Sequence, residues 1–182
     1  LQGLALARSG DVERANELLG KLADEGRGDA ETLGMLARTH KDLALAAKDP
    51  ARRAFHLDAG FRLYERAFDA ARRDDSDAGA YYAGINAATM AVLKGDLDGA
   101  RVLAREVIEI CRREAPGEDG SSRYWREATL GEAALILGDG AAAAAHYARA
   151  DDLAGGRVEG GGGARDHHCP RWKTRSAAGG AR

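Results

Sequence analysis

The chain has 182 residues, 3 prolines and only 5% aromatic residues, a composition that suits alanine-rich helix packing in one domain and suits a sandwich or barrel poorly. Its formal net charge is −2, but residues 154–182 hold six basic and two acidic side chains, so the body is acidic and a poor general nucleic-acid binder. No apolar run is long enough to span a bilayer, no stretch reads as a signal peptide, and Cys111 and Cys169 form no CxxC pattern; a reducing, cytoplasmic setting is the expectation. The first residue is Leu1, so the chain reads as a piece of something longer.

In chain order, Leu1 to Ala7 read as the end of a helix and Asp11 to Ala23 as its partner, with Val12, Ala15, Leu18, Leu19 and Leu22 inward. Glu25 to Asp29 is a turn; its Arg27-Gly28-Asp29 triplet matches an adhesion motif, but an interhelical turn is the reading without a secretion signal. Ala30 to about Lys48 is a long helix with Leu33, Leu36, Ala37, His40, Leu43 and Ala46 facing in. Asp49-Pro50 supplies an N-cap and a first-turn proline to a helix running to about Ala71, which carries Phe55, Leu57, Phe61, Leu63, Tyr64 and Phe68. Arg72 to Ser76 is a polar turn.

Tyr81 to Ile110 predicts two helices folded back at Gly95-Asp96. Gly95 offers the left-handed residue that ends a helix, and Asp96 is an N-cap. Ile85, Ala88 and Val92 mark one apolar stripe; Leu97, Ala100, Leu103, Ala104, Val107 and Ile108 mark the other. Arg113 to Ser122 reads as a loop around Pro116, Gly117 and Gly120. Tyr124 to Leu137 and Asp139 to Leu153 form the last pair. From Gly155 the pattern stops: eight of the final 29 residues are glycine, which reads as a disordered or linker-like tail or as a shifted reading frame.

One such hairpin cannot bury its own apolar face, so copies are expected. The Gly-Asp junction recurs at Gly10-Asp11, Gly95-Asp96 and Gly138-Asp139. With the turn glycine as position 15, Gly3 and Ala37 fall at position 8 of the first two copies, 34 residues apart, which is the tetratricopeptide period. Ala88 and Ala100 take positions 8 and 20 of the third copy. Gly131, Ala143, Tyr147 and Ala150 take 8, 20, 24 and 27 of the fourth. In the second copy about 11 extra residues precede Gly60, Tyr64 and Ala67, which take 20, 24 and 27. The expected fold is all-α: a tetratricopeptide-like right-handed superhelix of about four antiparallel hairpins over residues 1–153, with residues 154–182 as a basic, glycine-rich tail.

The runs Glu31 to Leu45, Tyr64 to Ala70, Tyr81 to Asp96 and Tyr124 to Asp139 resemble the TRAF-binding domain family. That family is the tetratricopeptide part of the central regulatory region of apoptosis signal-regulating kinases, and bacterial proteins carry similar domains. The resemblance covers roughly Glu31 to Leu153. No Gly-rich loop, HRD or DFG kinase motif is present, and the Ala/Gly/Arg-rich composition points to a GC-rich bacterial gene, so a role in animal stress signalling does not carry over. The resemblance implies a non-enzymatic interaction module, the regulatory part of a larger bacterial signalling or defence protein. The alternative is a structural spacer or dimerisation element; an enzyme with an uncatalogued helical site is a weaker third reading.

By resemblance to tetratricopeptide domains, the first helix of each pair lines a groove for a protein or peptide. This maps to Arg38, Lys41 and Asp42, then Tyr82, Ile85 and Thr89, then Trp125, Ala128 and Glu132. Tyr82 and Trp125 are natural anchors, since aromatics concentrate binding energy; filling gaps between hairpins is their other use. Asn86 stands where chaperone-binding domains place a carboxylate-clamping Asn, but Gly34, Trp125 and Thr129 replace the basic partners, so a bond to neighbouring backbone is expected instead. Thr89 either offers its hydroxyl to the groove or bonds back to its own helix, the second being the expectation. His167, His168 and Cys169 in a row cannot wrap a tetrahedral ion unaided, so no metal or cofactor is expected. His40, His56 and His146 lie on different helices and read as packing or surface residues, and Glu109, Arg112 and Arg113 as a solvated helix end. No Ser/His/Asp or Cys/His set carries a catalytic signature, and Gly155 to Gly163 lacks the Gly-Lys-Ser/Thr ending of a phosphate loop.

Overall fold

The computed structural model describes residues 11–113 and 120–155. They form α1 (Val12–Leu22), which widens into a π-helical turn (Ala23–Arg27), then α2 (Ala30–Ala46), α3 (Pro50–Arg73), α4 (Asp77–Lys94), α5 (Leu97–Arg113), α6 (Gly120–Leu137) and α7 (Gly140–Gly155). No strand occurs among the described residues. Each helix packs on the next in sequence, and α4 also touches both α2 and α6. That pattern makes an inner row of α2, α4 and α6 backed by α3, α5 and α7: an open α-α superhelix, as the repeat spacing implies.

The turns show why the chain reverses where it does. Gly95 (φ 87°) and Gly138 (φ 85°) both adopt the left-handed conformation. At the first, the Gly95 and Asp96 amides donate to the Val92 and Ala91 carbonyls, each at 3.0 Å. At the second, Gly138 and Asp139 donate to Leu135 and Ala134 at 3.0 and 2.9 Å. Both are Schellman closures that satisfy the last carbonyls of the helix. The following aspartate then caps the next helix, accepting from the Gly99 amide at Asp96 and the Ala142 amide at Asp139, both 2.9 Å. Asp49 accepts from the Arg52 amide at 2.7 Å ahead of Pro50, as its sequence position implies. Between α3 and α4 the same closure is built from Asp75-Ser76: Ser76 N donates to Ala71 O at 2.9 Å, and Asp75 takes φ 50°.

Small residues set the spacing of the hairpins. A Cβ on Gly84 would stand 2.7 Å from Val107 Cγ2 and 2.9 Å from Phe68 Cε2, so α4 lies hard against both α3 and α5. A Cβ on Gly131 would stand 3.0 Å from the Tyr147 ring, with Ala143 and Ala150 buried beside it. Gly60 lies over Ala37, whose carbonyl oxygen would be 3.4 Å from an added Cβ, and Tyr64 and Ala67 are 1% exposed. Positions 8 and 20 of the second copy and positions 8 and 24 of the fourth therefore meet across their hairpins, and the remaining repeat positions of these two copies are buried. Leu33, Phe68, Tyr81, Ile85, Val107, Ile110 and Cys111 continue the core through successive hairpins.

Several expectations about the elements change. The 25–29 turn is a π-helical turn closed at Gly26 (φ 75°), and Asp29 is the N-cap of α2, accepting from the Thr32 amide at 2.8 Å. The α6 helix begins at Gly120, so its first residues replace part of the expected 113–122 loop. Ala46, Val92 and Leu97, expected on the inward apolar stripes, are exposed near the helix ends, where no neighbouring helix covers them. The α7 helix continues to Gly155, two residues past the expected domain end. The helix expected over Leu1 to Ala7, the remainder of the 154–182 tail and the His167–Cys169 run lie outside the described residues.

Two substitutions test this account by urea unfolding. Asp75→Gly relieves a left-handed side-chain residue and is expected to raise stability by about 0.5–1 kcal/mol. Gly84→Ala is expected to lower it by about 1–3 kcal/mol, because neither Val107 nor Phe68 can withdraw from a packed core.

Candidate functional site

The face shared by α2, α4 and α6 gathers most of the residues expected to line a groove. Tyr82, 43% exposed, stands at its centre. Its ring meets buried Tyr64 edge-on, with centroids 6.4 Å apart, and the α2 backbone opens beneath it at Gly34, whose added Cβ would reach Tyr82 Cε1 at 3.6 Å. The Tyr64 phenol is pushed well above its usual range by burial, then by neighbouring Tyr82, so it stays protonated as a neutral floor.

Two polar contacts cross between helices. Lys41 Nζ donates to Asn86 Oδ1 at 3.0 Å, joining α2 to α4. Asn86 Nδ2 donates to the Tyr82 carbonyl at 2.9 Å, so the expected side-chain-to-backbone bond is present and its amide is oriented for the lysine. Thr89 Oγ1 donates to Glu132 Oε1 at 2.5 Å, joining α4 to α6. The expected back-bond of Thr89 into its own helix is thus replaced, because Glu132 on the adjoining inner helix offers a charged acceptor. Arg38 and Asp42 form a loose i,i+4 pair at 3.8 Å, each about two-fifths exposed. Trp125 is half-buried and edge-on to Tyr124, with centroids 5.0 Å apart.

Ile85 stands apart from this face. It is 4% exposed and packs in the core with Leu33, Phe68 and Tyr81. Ala128 and Thr129 are similarly buried. The surface left on this face comprises Arg38, Lys41, Asp42, Tyr82, Asn86, Thr89, Trp125 and Glu132. It supplies aromatic area with hydrogen-bond donors and acceptors held by cross-helix contacts. No group of three or more His, Cys, Asp or Glu side chains converges as a metal site among the described residues.

Two side-chain clusters escaped the sequence reading. His40 and His56 meet at 2.9 Å between Nδ1 atoms. Each is eight residues from Lys48, and residues equidistant from a hairpin turn face each other, so the signal was there. In the fourth hairpin, Glu127 Oε2 lies 2.9 Å from His146 Nδ1 and accepts from Arg149 Nε at 2.8 Å. Burial raises the Glu127 pKa, but the bonds from His146 and Arg149 outweigh it, and the carboxyl ends below its ordinary value. His146 therefore pins α7 to α6.

The description of a tetratricopeptide repeats-sensor family matches residues 1–91. No curated protein matches the chain. Among solved structures, BtubC (BKLC) from P. vanneervenii is similar at a TM-score of 0.61 and 21% identity, over 100% of this chain and 68% of that one. At that identity the likeness speaks for the fold alone. No helix among the described residues is long and apolar enough to cross a membrane.

The Thr89–Glu132 contact has a direct check. A double-mutant cycle with Thr89→Val and Glu132→Met, each of which removes the bond, is expected to give a coupling of about 1 kcal/mol in unfolding free energy. A coupling near zero would show that this bond does not help to hold the two inner helices together.

Proposed function

The chain belongs to the tetratricopeptide repeats-sensor family, and on that premise we propose that it is a non-enzymatic interaction module that holds a partner polypeptide along the α2–α4–α6 face. Tetratricopeptide-type domains generally bind proteins or peptides, and the family's description as a sensor fits a regulatory part. The observation that carries the reading is Tyr82: a large aromatic, 43% exposed, on a face whose neighbouring polar groups are already oriented. A preorganised face loses less entropy when a segment docks, and a rigid aromatic gives much contact area per immobilised bond. Trp125 adds a second anchor on α6, with Arg38 and Lys41 toward one end of the face and Glu132 toward the other.

In this reading residues 1–153 act as the binding domain of a larger bacterial signalling protein working in the cytoplasm. The likeness of Glu31 to Leu153 to the TRAF-binding domain is a narrower assignment within the same tetratricopeptide class. A spacer or dimerisation element is the competing use of the scaffold.

The test is a random displayed-peptide selection against the full chain, followed by affinity measurement on the double variant Tyr82→Ala/Trp125→Ala. Selected peptides are expected to lose at least about tenfold in affinity, roughly 1.4 kcal/mol, with the far-UV helical signal unchanged. Undiminished affinity in a folded double variant rejects the face. Failure to select any peptide, together with concentration-dependent dimerisation in sedimentation, favours the spacer reading.

A further inference from the structure

The α2–α3 hairpin outreaches its neighbours: α3 has 24 residues, against 17 in each of α2 and α5. The excess lies beyond the crossing of Ala37 and Gly60, on either side of the Asp49-Pro50 turn. Just past that crossing, His40 and His56 face each other, 9% and 8% exposed, with Nδ1 atoms 2.9 Å apart. At that distance one neutral ring donates its N–H and the other accepts. Phe55 lies edge-on to both rings, with centroids 6.3 and 5.2 Å away.

The groups around the pair come from four helices. On α3, Arg52 precedes His56 by one turn. On α1, Glu13 pairs with Arg52 at 3.9 Å, and the two act on His56 in opposite senses. Also on α1, Asn16 Nδ2 donates to Thr39 Oγ1 at 2.8 Å, beside His40. On α2, Lys41 turns away to Asn86, while Arg53 of α3 donates to the Ala44 carbonyl at 3.3 Å. From α4, apolar Met90 crowds Gly60 on the side where His40 also lies.

We propose that the His40–His56 contact is an acid-sensitive latch, which keeps the α2–α3 extension closed while the imidazoles are neutral and lets it open locally once both carry a proton. Two imidazolium rings have no acceptor left between them and place like charges within hydrogen-bond distance. The surroundings already disfavour charge. Burial, then His56, holds His40 down to about 4, and burial, then Arg52, lowers His56 against the opposing pull of Glu13. Because the closed-state values lie below the ordinary one near 6.5, the latch is fully engaged above that pH and is lost as pH falls toward about 4. Opening would release Phe55 and the first turns of α3, and with them the Arg52–Glu13 tie to α1. The Ala37–Gly60 crossing and the α2–α4–α6 face would stay in place.

Hydrogen exchange read by mass spectrometry on the full chain tests this at pH 7 and pH 5, after correction for intrinsic rates. Opening within residues 38–58 is expected to increase at least about twentyfold at pH 5, the part owed to His40 alone moving between 6.5 and about 4, while α5 to α7 change little. The double variant His40→Phe/His56→Phe, which fills the site with no titrating group, is expected to remove that increase. An increase spread evenly over all helices, or one that persists in His40→Phe/His56→Phe, overturns the latch. Should that variant fail to fold, ring titration of the unaltered protein by NMR decides. A His40 midpoint well below 6 supports the proposal, and both midpoints near 6.5 overturn it. Protection of residues 38–58 by added Zn²⁺ at pH 7 would make the pair a ligand set and overturn it as well.

Discussion

Close backbone approach is the constraint on which the molecule depends. At Gly84 the α4 backbone comes so near Val107 and Phe68 that a single methyl group has no room. Gly131 comes nearly as close to the Tyr147 ring within the fourth hairpin, and Gly60 lets α3 touch the Ala37 carbonyl of α2 in the second. These contacts fix interhelical distance by exclusion, since a side chain of any size at the crossing would force the axes apart. Larger residues then fill the space on either side of each crossing, which is why Tyr64, Phe68, Met90 and Val107 are almost wholly buried in so alanine-rich a chain. The low aromatic content follows from this geometry: thin helices packed closely leave few places for rings.

The α2–α4–α6 face follows from the same spacing. Once α2, α4 and α6 lie close in one row, medium-length polar side chains can reach from one helix to the next. Lys41 to Asn86 and Thr89 to Glu132 span neighbouring helices and orient the surface around Tyr82. Longer separations would leave the same groups solvated and mobile. Order on the face is therefore a product of packing behind it.

How much of this was legible in the sequence differs by kind of feature. Turn chemistry was legible because a left-handed glycine followed by a capping aspartate is a local event, as at Gly95-Asp96 and Gly138-Asp139. Asp75-Ser76 closes the same way without glycine, and the chain reads there only as a polar turn. The 8, 20, 24 and 27 positions were legible because a fixed period carries them. Ile85 was placed by position on the groove face yet lies in the core, since the period gives a residue's helix and level but not which side its longest branch fills. The Thr89–Glu132 bond and the Glu127–His146–Arg149 cluster depend on how two helices rotate against each other, which no single helix encodes. The His40–His56 pair falls between these cases: its symmetry about Lys48 was readable, but its burial required knowing that α1 covers the extension.

The pairing of helices also bears on how the molecule would respond to force. Hairpins touch the one before and the one after, and α2 has no substantial contact with α6. Tension applied at the two ends would therefore load the inter-hairpin seams in series. A closed bundle would share the same load in parallel and yield all at once; a row of stacked pairs extends by separate small releases, like a spring built from nested clips.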